Sequence, residues 1–152
     1  MNLVGNTPLV KLGDKLYAKF EAYNPSGSIK DRMAAYILQK AEENGDLRKG
    51  YTIVEASSGN TGIAFAMLAA AKGYGCIIVM PRNMSEERKQ MMRSFGARIG
   101  PHDSSAMFIT LNVTRKPQQQ KSHKQFWICP HAFLPLYQEQ AQAELLWAVS
   151  ED

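Results

Sequence analysis

Residues 51–80 of the chain, YTIVEASSGNTGIAFAMLAAAKGYGCIIVM, determine the fold of the protein. Tyr51–Ala56 is predicted to be a strand, and the pattern over Asn60–Lys72 predicts a helix that ends at Gly73. The run at 76–80 is almost wholly apolar and predicts a second strand. Strand, helix and strand joined by short links indicate parallel strands connected by a right-handed crossover.

A hairpin and a helix are predicted on the amino-terminal side of this unit. Residues 8–12 and 16–21 are expected to form two short strands around a Gly-Asp turn. Ser28 is expected to cap a helix for which Asn44 and Gly45 supply the stop signal. Five apolar residues of this helix fall on one face: Ile29, Met33, Tyr36, Ile37 and Ala41.

A third helix is predicted on the carboxyl-terminal side. Ser85 is expected to cap it, acidic residues occupy its first turn, and it ends at Ser94 before a left-handed Gly96. Residues 1–100 are therefore predicted to be an α/β unit with a parallel sheet and flanking helices.

The composition of the chain changes near Gly100. All eleven glycines lie between Gly5 and Gly100. Residues 101–152 are accordingly interpreted as an irregular tail of unclear homology. Within this tail, 107–113 is a candidate strand and 138–149 a candidate helix.

Composition and motifs exclude several classes of function. The net charge of +4 comes from scattered basic residues, so we expect no nucleic-acid partner. The longest apolar stretch, 63–71, is too short to span a membrane and no secretory signal is evident, so we expect a cytoplasmic protein. Cys76 and Cys129 are expected to be reduced thiols. His123, Cys129 and His131 do not match a zinc spacing, so no metal is expected.

Two features of the regular part have chemical potential. Lys30 lies in the first helical turn, where the helix dipole disfavours a cation, and a neutral amine there can form a Schiff base. The turn at 57–62 joins a strand end to a helix start and can bind an anion through backbone N–H groups. The alternatives are a solvated lysine and an ordinary capped turn. Asp31 and Arg32 are expected to form ion pairs, without a catalytic role.

Three motifs together resemble the cysteine synthase and cystathionine β-synthase family of fold-type II pyridoxal-phosphate (PLP) enzymes. They are GNTPL at 5–9, NPSGSIKDR at 24–32 and SSGNTG at 57–62. The resemblance covers about residues 3–99 and implies the amino-terminal portion of a tryptophan synthase β-like fold.

The resemblance also implies roles for individual residues. Lys30 matches the lysine that holds PLP and acts as the catalytic base, and Asn60 matches the residue that contacts the ring hydroxyl of the cofactor. The residues that match the loop around the substrate carboxylate are Ser57, Ser58, Asn60 and Thr61. Thr7 and Pro8 match a segment near the site with a structural role.

The implied reaction is β-replacement, which makes L-cysteine from O-acetyl-L-serine and sulfide. Alternatives are a cystathionine β-synthase-like enzyme that uses homocysteine, and a non-catalytic fragment that acts only in assembly or interaction. The resemblance further implies an amino-acid substrate, a homodimer and a serine acetyltransferase partner. Members of the family are about twice as long as this chain and supply a glycine-rich phosphate loop, whereas no glycine follows Gly100. A truncated product is one hypothesis for this difference, and a divergent short protein is the other.

Overall fold

A computed structural model describes residues 3–102 and 125–128 of the chain. The strands are β1 Leu9–Lys11, β2 Tyr17–Lys19, β3 Tyr51–Ala56, β4 Gly75–Pro81, β5 Arg98–His102 and β6 Gln125–Ile128. The helices are α1 Lys30–Glu43, α2 Asn60–Lys72 and α3 Glu86–Ser94, and a 3₁₀ turn covers Glu21–Tyr23. No helix within the described ranges is long and apolar enough to cross a membrane.

The predicted hairpin is confirmed. β1 and β2 pair antiparallel, with Val10 opposite Ala18. The turn between them closes where the Leu12 N–H donates to the Leu16 carbonyl at 2.9 Å. Each strand has three residues, so the hairpin is shorter than the sequence predicted.

The predicted parallel sheet is also confirmed, and the part of the chain that the structure describes contributes four strands to it, in the order β5-β4-β3-β6. All three strand pairs are parallel, with Ile53 opposite Cys76 between β3 and β4. β5 and β6 were not predicted, and the predicted boundary at residue 100 falls inside β5. The predictions for 107–113 and 138–149 lie outside the described residues.

The main core lies between α2 and one face of the sheet. α2 is apolar nearly all round because β3 and β4 contact it on one side and α1 and α3 contact it on others. The sheet residues of this core are Ile53, Cys76, Ile78 and Met80. Val54, Ile77 and Val79, at the alternating positions, are buried as well. Burial of both faces explains why 76–80 is continuously apolar.

The buried face of α1 overlaps only partly with the face that the apolar pattern predicted, because Ala41 is buried as predicted whereas Ile29 and Tyr36 are not. Ala34, Leu38 and Ala41 are buried, whereas Ile29 and Tyr36 are 57% and 63% exposed. The spacing of the buried residues by three and four places them on one stripe towards α2. Small alanines allow the two helices to approach closely, so packing overrides the larger apolar side chains in choosing the buried face. The predicted Met33 and Ile37 are partly buried at the edge of the core.

Candidate active site

The amino termini of α1 and α2 lie at the same end of the molecule. The Lys72 ammonium, in the last turn of α2, forms an ion pair at 2.7 Å with the Glu42 carboxylate, in the last turn of α1. The two helices pack together and have 14 and 13 residues, or about 20 Å each. Their first turns therefore both lie towards the opposite end. α2 follows the carboxyl end of β3, so this is the carboxyl edge of the parallel sheet.

Lys30 is the first residue of α1. Its backbone N–H donates to the Ser28 hydroxyl at 3.2 Å, so Ser28 satisfies a free N–H as predicted, although Ile29 occupies the cap position. The side chain is half-buried. Among residues 3–102, the Lys30 amine has no hydrogen-bond or ion-pair partner, in contrast to Lys40, Lys72 and Lys89. A half-buried amine without a partner can react with a carbonyl group.

The turn at 57–62 supplies its own cap for the start of α2. The Ser57 hydroxyl accepts hydrogen bonds from the Gly59 N–H at 3.3 Å and from the Gly62 N–H at 2.9 Å. Ser57 therefore satisfies two N–H groups at the start of α2, whereas the alternative interpretation of this turn assigned the capping role to Ser58 or Asn60. A bond at 3.1 Å from the Ser57 N–H to the Val79 carbonyl holds the turn against the end of β4.

The other predicted residues of the turn are accessible. Asn60 is exposed, and Ser58 and Thr61 are half-buried. The N–H groups of Asn60 and Thr61 fall in the first turn of α2, where N–H groups have no partner within the helix and the dipole favours an anion. These groups can bind a carboxylate. Their contact with a substrate stays a prediction.

Gly62 allows α2 to lie close to its neighbours. A Cβ atom at this position would lie 3.0 Å from the Met92 Cε and 3.2 Å from the Ile78 Cγ2. The glycine thus sets how deeply the first turn of α2 sits against α3 and β4. The position of the anion-binding turn depends on this close approach.

Sequence reasoning missed a polar cluster beside Lys30. The Glu21 carboxylate accepts hydrogen bonds from Arg32, Thr7 and Asn24. The ion pair predicted for Arg32 is confirmed, and Glu21 is its partner. Asp31 differs from the prediction, because its fully buried carboxylate accepts hydrogen bonds from Ser26. A glutamate at the end of a predicted strand carries no local signal for a partner eleven residues away.

Electrostatics keep the cluster charged. Hydrogen bonds lower the pKa of Glu21 from 4.5 to about 2, with the largest effect from the Arg32 guanidinium and the next from the Thr7 hydroxyl. The Glu21 carboxylate in turn raises the pKa of Arg32. Both side chains stay ionised at neutral pH, so the ion pair persists.

Arg88 of α3 also reaches the candidate site. Its guanidinium donates to the Ser58 carbonyl at 3.3 Å. This contact brings a positive charge beside the turn at 57–62, and the sequence alone did not indicate it.

The described residues offer partners for a cofactor that carries an aldehyde and a hydroxyl group on an aromatic ring. Lys30 offers a half-buried amine without a partner among residues 3–102. Asn60 offers an exposed amide at the same edge of the sheet, where it can donate to or accept from a ring hydroxyl. The first turn of α2 offers free N–H groups for a carboxylate.

The parallel sheet and the two helix termini at its carboxyl edge define an α/β protein with a ligand site at that edge. The chain belongs to the family of pyridoxal-phosphate dependent enzymes, whose family model matches residues 1–137. The match continues past residue 99, where the resemblance read from the motifs ended.

Individual relatives show the same relationship. The chain is 48% identical to cysteine synthase B of Salmonella typhimurium over 103 residues, which are 63% of this chain and 34% of that protein. It is 47% identical to cystathionine beta-synthase of Apis mellifera over 108 residues, 65% of this chain and 21% of that protein. A solved hydrogen sulfide-producing enzyme from Fusobacterium nucleatum has a TM-score of 0.64 and 45% identity over 68% of this chain and 36% of its own. The matching segment of 103 residues spans about a third of the length of the cysteine synthase B relatives.

Proposed function

We propose that this chain carries the lysine and the carboxylate-binding turn of a PLP-dependent enzyme that makes L-cysteine from O-acetyl-L-serine and sulfide. The observation that carries the proposal is the half-buried Lys30 amine, which has no partner among residues 3–102 and lies at the same sheet edge as the turn at 57–62. The cysteine synthase relatives support this choice of reaction.

Bound PLP supplies an aldehyde that takes up an amine with loss of water, and a ring that accepts negative charge from the α-carbon of the substrate. The Lys30 Nζ would hold the cofactor through its aldehyde, and the same amine would accept the α-proton of the substrate as general base. The side chain of Asn60 would hold the ring hydroxyl.

The turn at 57–62 orients the substrate. The N–H groups of Asn60 and Thr61 receive its carboxylate, supported by the positive end of the α2 dipole. Ser58 and Thr61 offer hydroxyl groups for the same oxygens. In the complete exchange, the β-carbon loses its C–O bond to acetate and gains a C–S bond to sulfide, and a proton returns to the α-carbon.

Homocysteine is the alternative nucleophile, because the chain is also similar to a cystathionine beta-synthase. Incubation with O-acetylserine and each nucleophile separates the two reactions, since mass spectrometry distinguishes cysteine from cystathionine.

We also propose a cytoplasmic homodimer that binds serine acetyltransferase. Support comes from the resemblance and from apolar side chains exposed on the hairpin, including Leu9 and Leu12.

Covalent capture of PLP tests the proposal. The purified chain is incubated with PLP and reduced with borohydride, and the modified peptides are mapped by mass spectrometry. We expect the label at Lys30, and we expect Lys30→Ala to abolish it. Lys40→Ala is the matched control, because Lys40 is an exposed lysine of the same helix that pairs with Glu43.

Labelling spread evenly over the exposed lysines in both variants would contradict the proposal. It would mean that Lys30 is only a solvated helical lysine, which was the alternative interpretation. Equal visible absorbance of PLP with the native chain and with Lys30→Ala would lead to the same conclusion.

A further inference from the structure

We propose that Glu21 and Arg32 are positioning residues that fix the turn from which Lys30 projects. The inference rests on the proposed function of Lys30 as the cofactor-binding amine. It assigns a role to two residues that contact neither the amine nor the turn at 57–62 in the described structure.

The Glu21 carboxylate joins three segments of the chain. Arg32 donates from Nε to Oε2 at 2.7 Å and from Nη2 to Oε1 at 3.0 Å, in the two-pronged geometry typical of arginine and carboxylate. The Thr7 hydroxyl donates to Oε1 at 2.7 Å, and the Asn24 amide donates to Oε2 at 2.8 Å. One carboxylate thus binds α1, the amino-terminal segment and the loop before α1.

Thr7 and Asn24 are almost fully buried, at 4% and 3% exposure. Thr7 also accepts a hydrogen bond at 3.0 Å from the Arg32 Nη2, so its hydroxyl both donates and accepts within the cluster. Buried polar groups that are fully satisfied in this way fix one arrangement of the chain, because any other arrangement leaves a polar atom unpaired.

The amino-terminal segment is shaped to fit Arg32. Gly5 has φ of +86°, and a Cβ atom there would lie 2.8 Å from the Arg32 Nη1. Its N–H donates to the Asn24 Oδ1 at 2.9 Å. The backbone conformation favours glycine at this position, and a Cβ atom here would displace the Arg32 guanidinium.

A second carboxylate fixes the loop immediately before Lys30. Asp31 is fully buried and accepts a hydrogen bond at 2.7 Å from the Ser26 N–H and another from the Ser26 hydroxyl. Asn24 and Ser26 precede Lys30, and Asp31 and Arg32 follow it. Lys30 is therefore held on both sides, and its direction is set by these contacts and not by a contact of its own amine.

The cluster differs from the ion pairs that lie within single helices among residues 3–102, whereas the Lys72–Glu42 pair, like the cluster, joins separate elements. The pairs Lys40–Glu43 and Lys89–Glu86 each join residues three apart in one helix. Those short-range pairs lie within one helix each and add little to stability. The Glu21 cluster instead joins residues 11 and 14 positions apart, which makes it a tertiary restraint.

Two variants and one control test the inference. Glu21→Gln removes the negative charge of the carboxylate to which Arg32 and Thr7 donate. Arg32→Lys keeps the positive charge at position 32 but loses the two-pronged contact with Glu21. Glu42→Gln is the matched control, because Glu42 binds Lys72 and Tyr74 at the other end of α1. The measurement is the PLP concentration that gives half-maximal borohydride capture at Lys30, with capture at the other lysines recorded in the same digest.

We expect Glu21→Gln and Arg32→Lys to raise this concentration about tenfold, because a displaced reactive group loses much of its effective concentration. Capture at the other lysines should stay unchanged, as should capture at Lys30 in Glu42→Gln. If Glu21 and Arg32 only stabilised the fold, capture of PLP at Lys30 would fall in proportion to the loss of folding stability in all three variants. Melting temperatures and helical circular dichroism provide that comparison, and capture is measured where each variant is fully folded.

Native-like capture at Lys30 in both variants would overturn the inference while leaving the proposed function intact. Failure of the native chain to capture PLP selectively at Lys30 would instead overturn the proposed function. If Glu21→Gln does not fold, the result for Arg32→Lys decides, because that variant keeps the charge on each partner.

Discussion

At the scale of single residues, Glu21 makes the stability of the chain depend on pH. Its carboxyl group has a pKa of about 2 in the folded chain, against an ordinary value of 4.5, because Arg32 and Thr7 stabilise the ionised form. Because the folded-state pKa is the lower one, the contribution of Glu21 to stability is complete above about 4.5 and is lost as the pH falls towards about 2.

Urea unfolding of the native chain and of Glu21→Gln, compared over this range of pH, tests that direction. We expect the native chain to be the more stable at about pH 6, and the difference to shrink steadily below about pH 4.5. A difference that stays constant down to about pH 2.5 would show that the Glu21 carboxylate is not the stabilising group.

The positions of the candidate site residues in the fold were predictable where the sequence signal was local. Lys30 in a first helical turn and the small residues of 57–62 could be placed from the sequence, because caps and glycines determine helix ends. The pairing of Arg32 with Glu21 could not be specified, because it depends on how a distant loop folds back. For the same reason the close approach of Gly5 to Arg32 became visible only in the structure.

At the scale of elements, α1 shows how packing chooses between two apolar stripes. Leu38 is fully buried against α2, whereas Tyr36 is 63% exposed, although the periodic pattern placed Tyr36 on the apolar face. We expect Leu38→Ala to lower the free energy of unfolding by about 2 to 5 kcal/mol, because it leaves a cavity in the core. Tyr36→Ala should cost about 1 kcal/mol or less.

Urea denaturation monitored by circular dichroism measures both variants of α1. A larger loss for Tyr36→Ala than for Leu38→Ala would mean that the face predicted from the pattern is the buried one.

The elements themselves were predictable because their end signals are strong. α2 has the predicted bounds and ends at Gly73 with φ of 78°.

At the scale of the whole molecule, the sheet shows which parts of the fold are local and which are not. β3, α2 and β4 follow one another along the chain, so the strand–helix–strand pattern was enough to predict their parallel pairing. β6 pairs with β3 from more than sixty positions away and has only four residues, Gln125–Ile128. A four-residue strand gives no indication of its partner, so the sequence placed no strand at this position.

The central position of β4 makes Cys76 a reporter of whether this sheet opens. Burial raises the pKa of the Cys76 thiol to about 12, and the nearby Glu55 carboxylate adds to the effect. Since only the thiolate reacts with iodoacetamide, alkylation at about pH 8 requires the sheet to open first. In a Cys129→Ser background, we expect the folded chain to react at least about a hundredfold more slowly than the same chain in denaturing urea.

Leu38→Ala in the same background should speed the alkylation of Cys76, because it destabilises the packing of α1 against α2 and so raises the population of the open sheet. Tyr36→Ala should leave the rate close to that of the parent chain, since Tyr36 lies outside the core. Equal alkylation rates in the folded and denatured chains would show that β4 is not enclosed. The edge of the sheet that carries the turn at 57–62 would then lack a rigid base, because Ser57 is held against the Val79 carbonyl of the same strand.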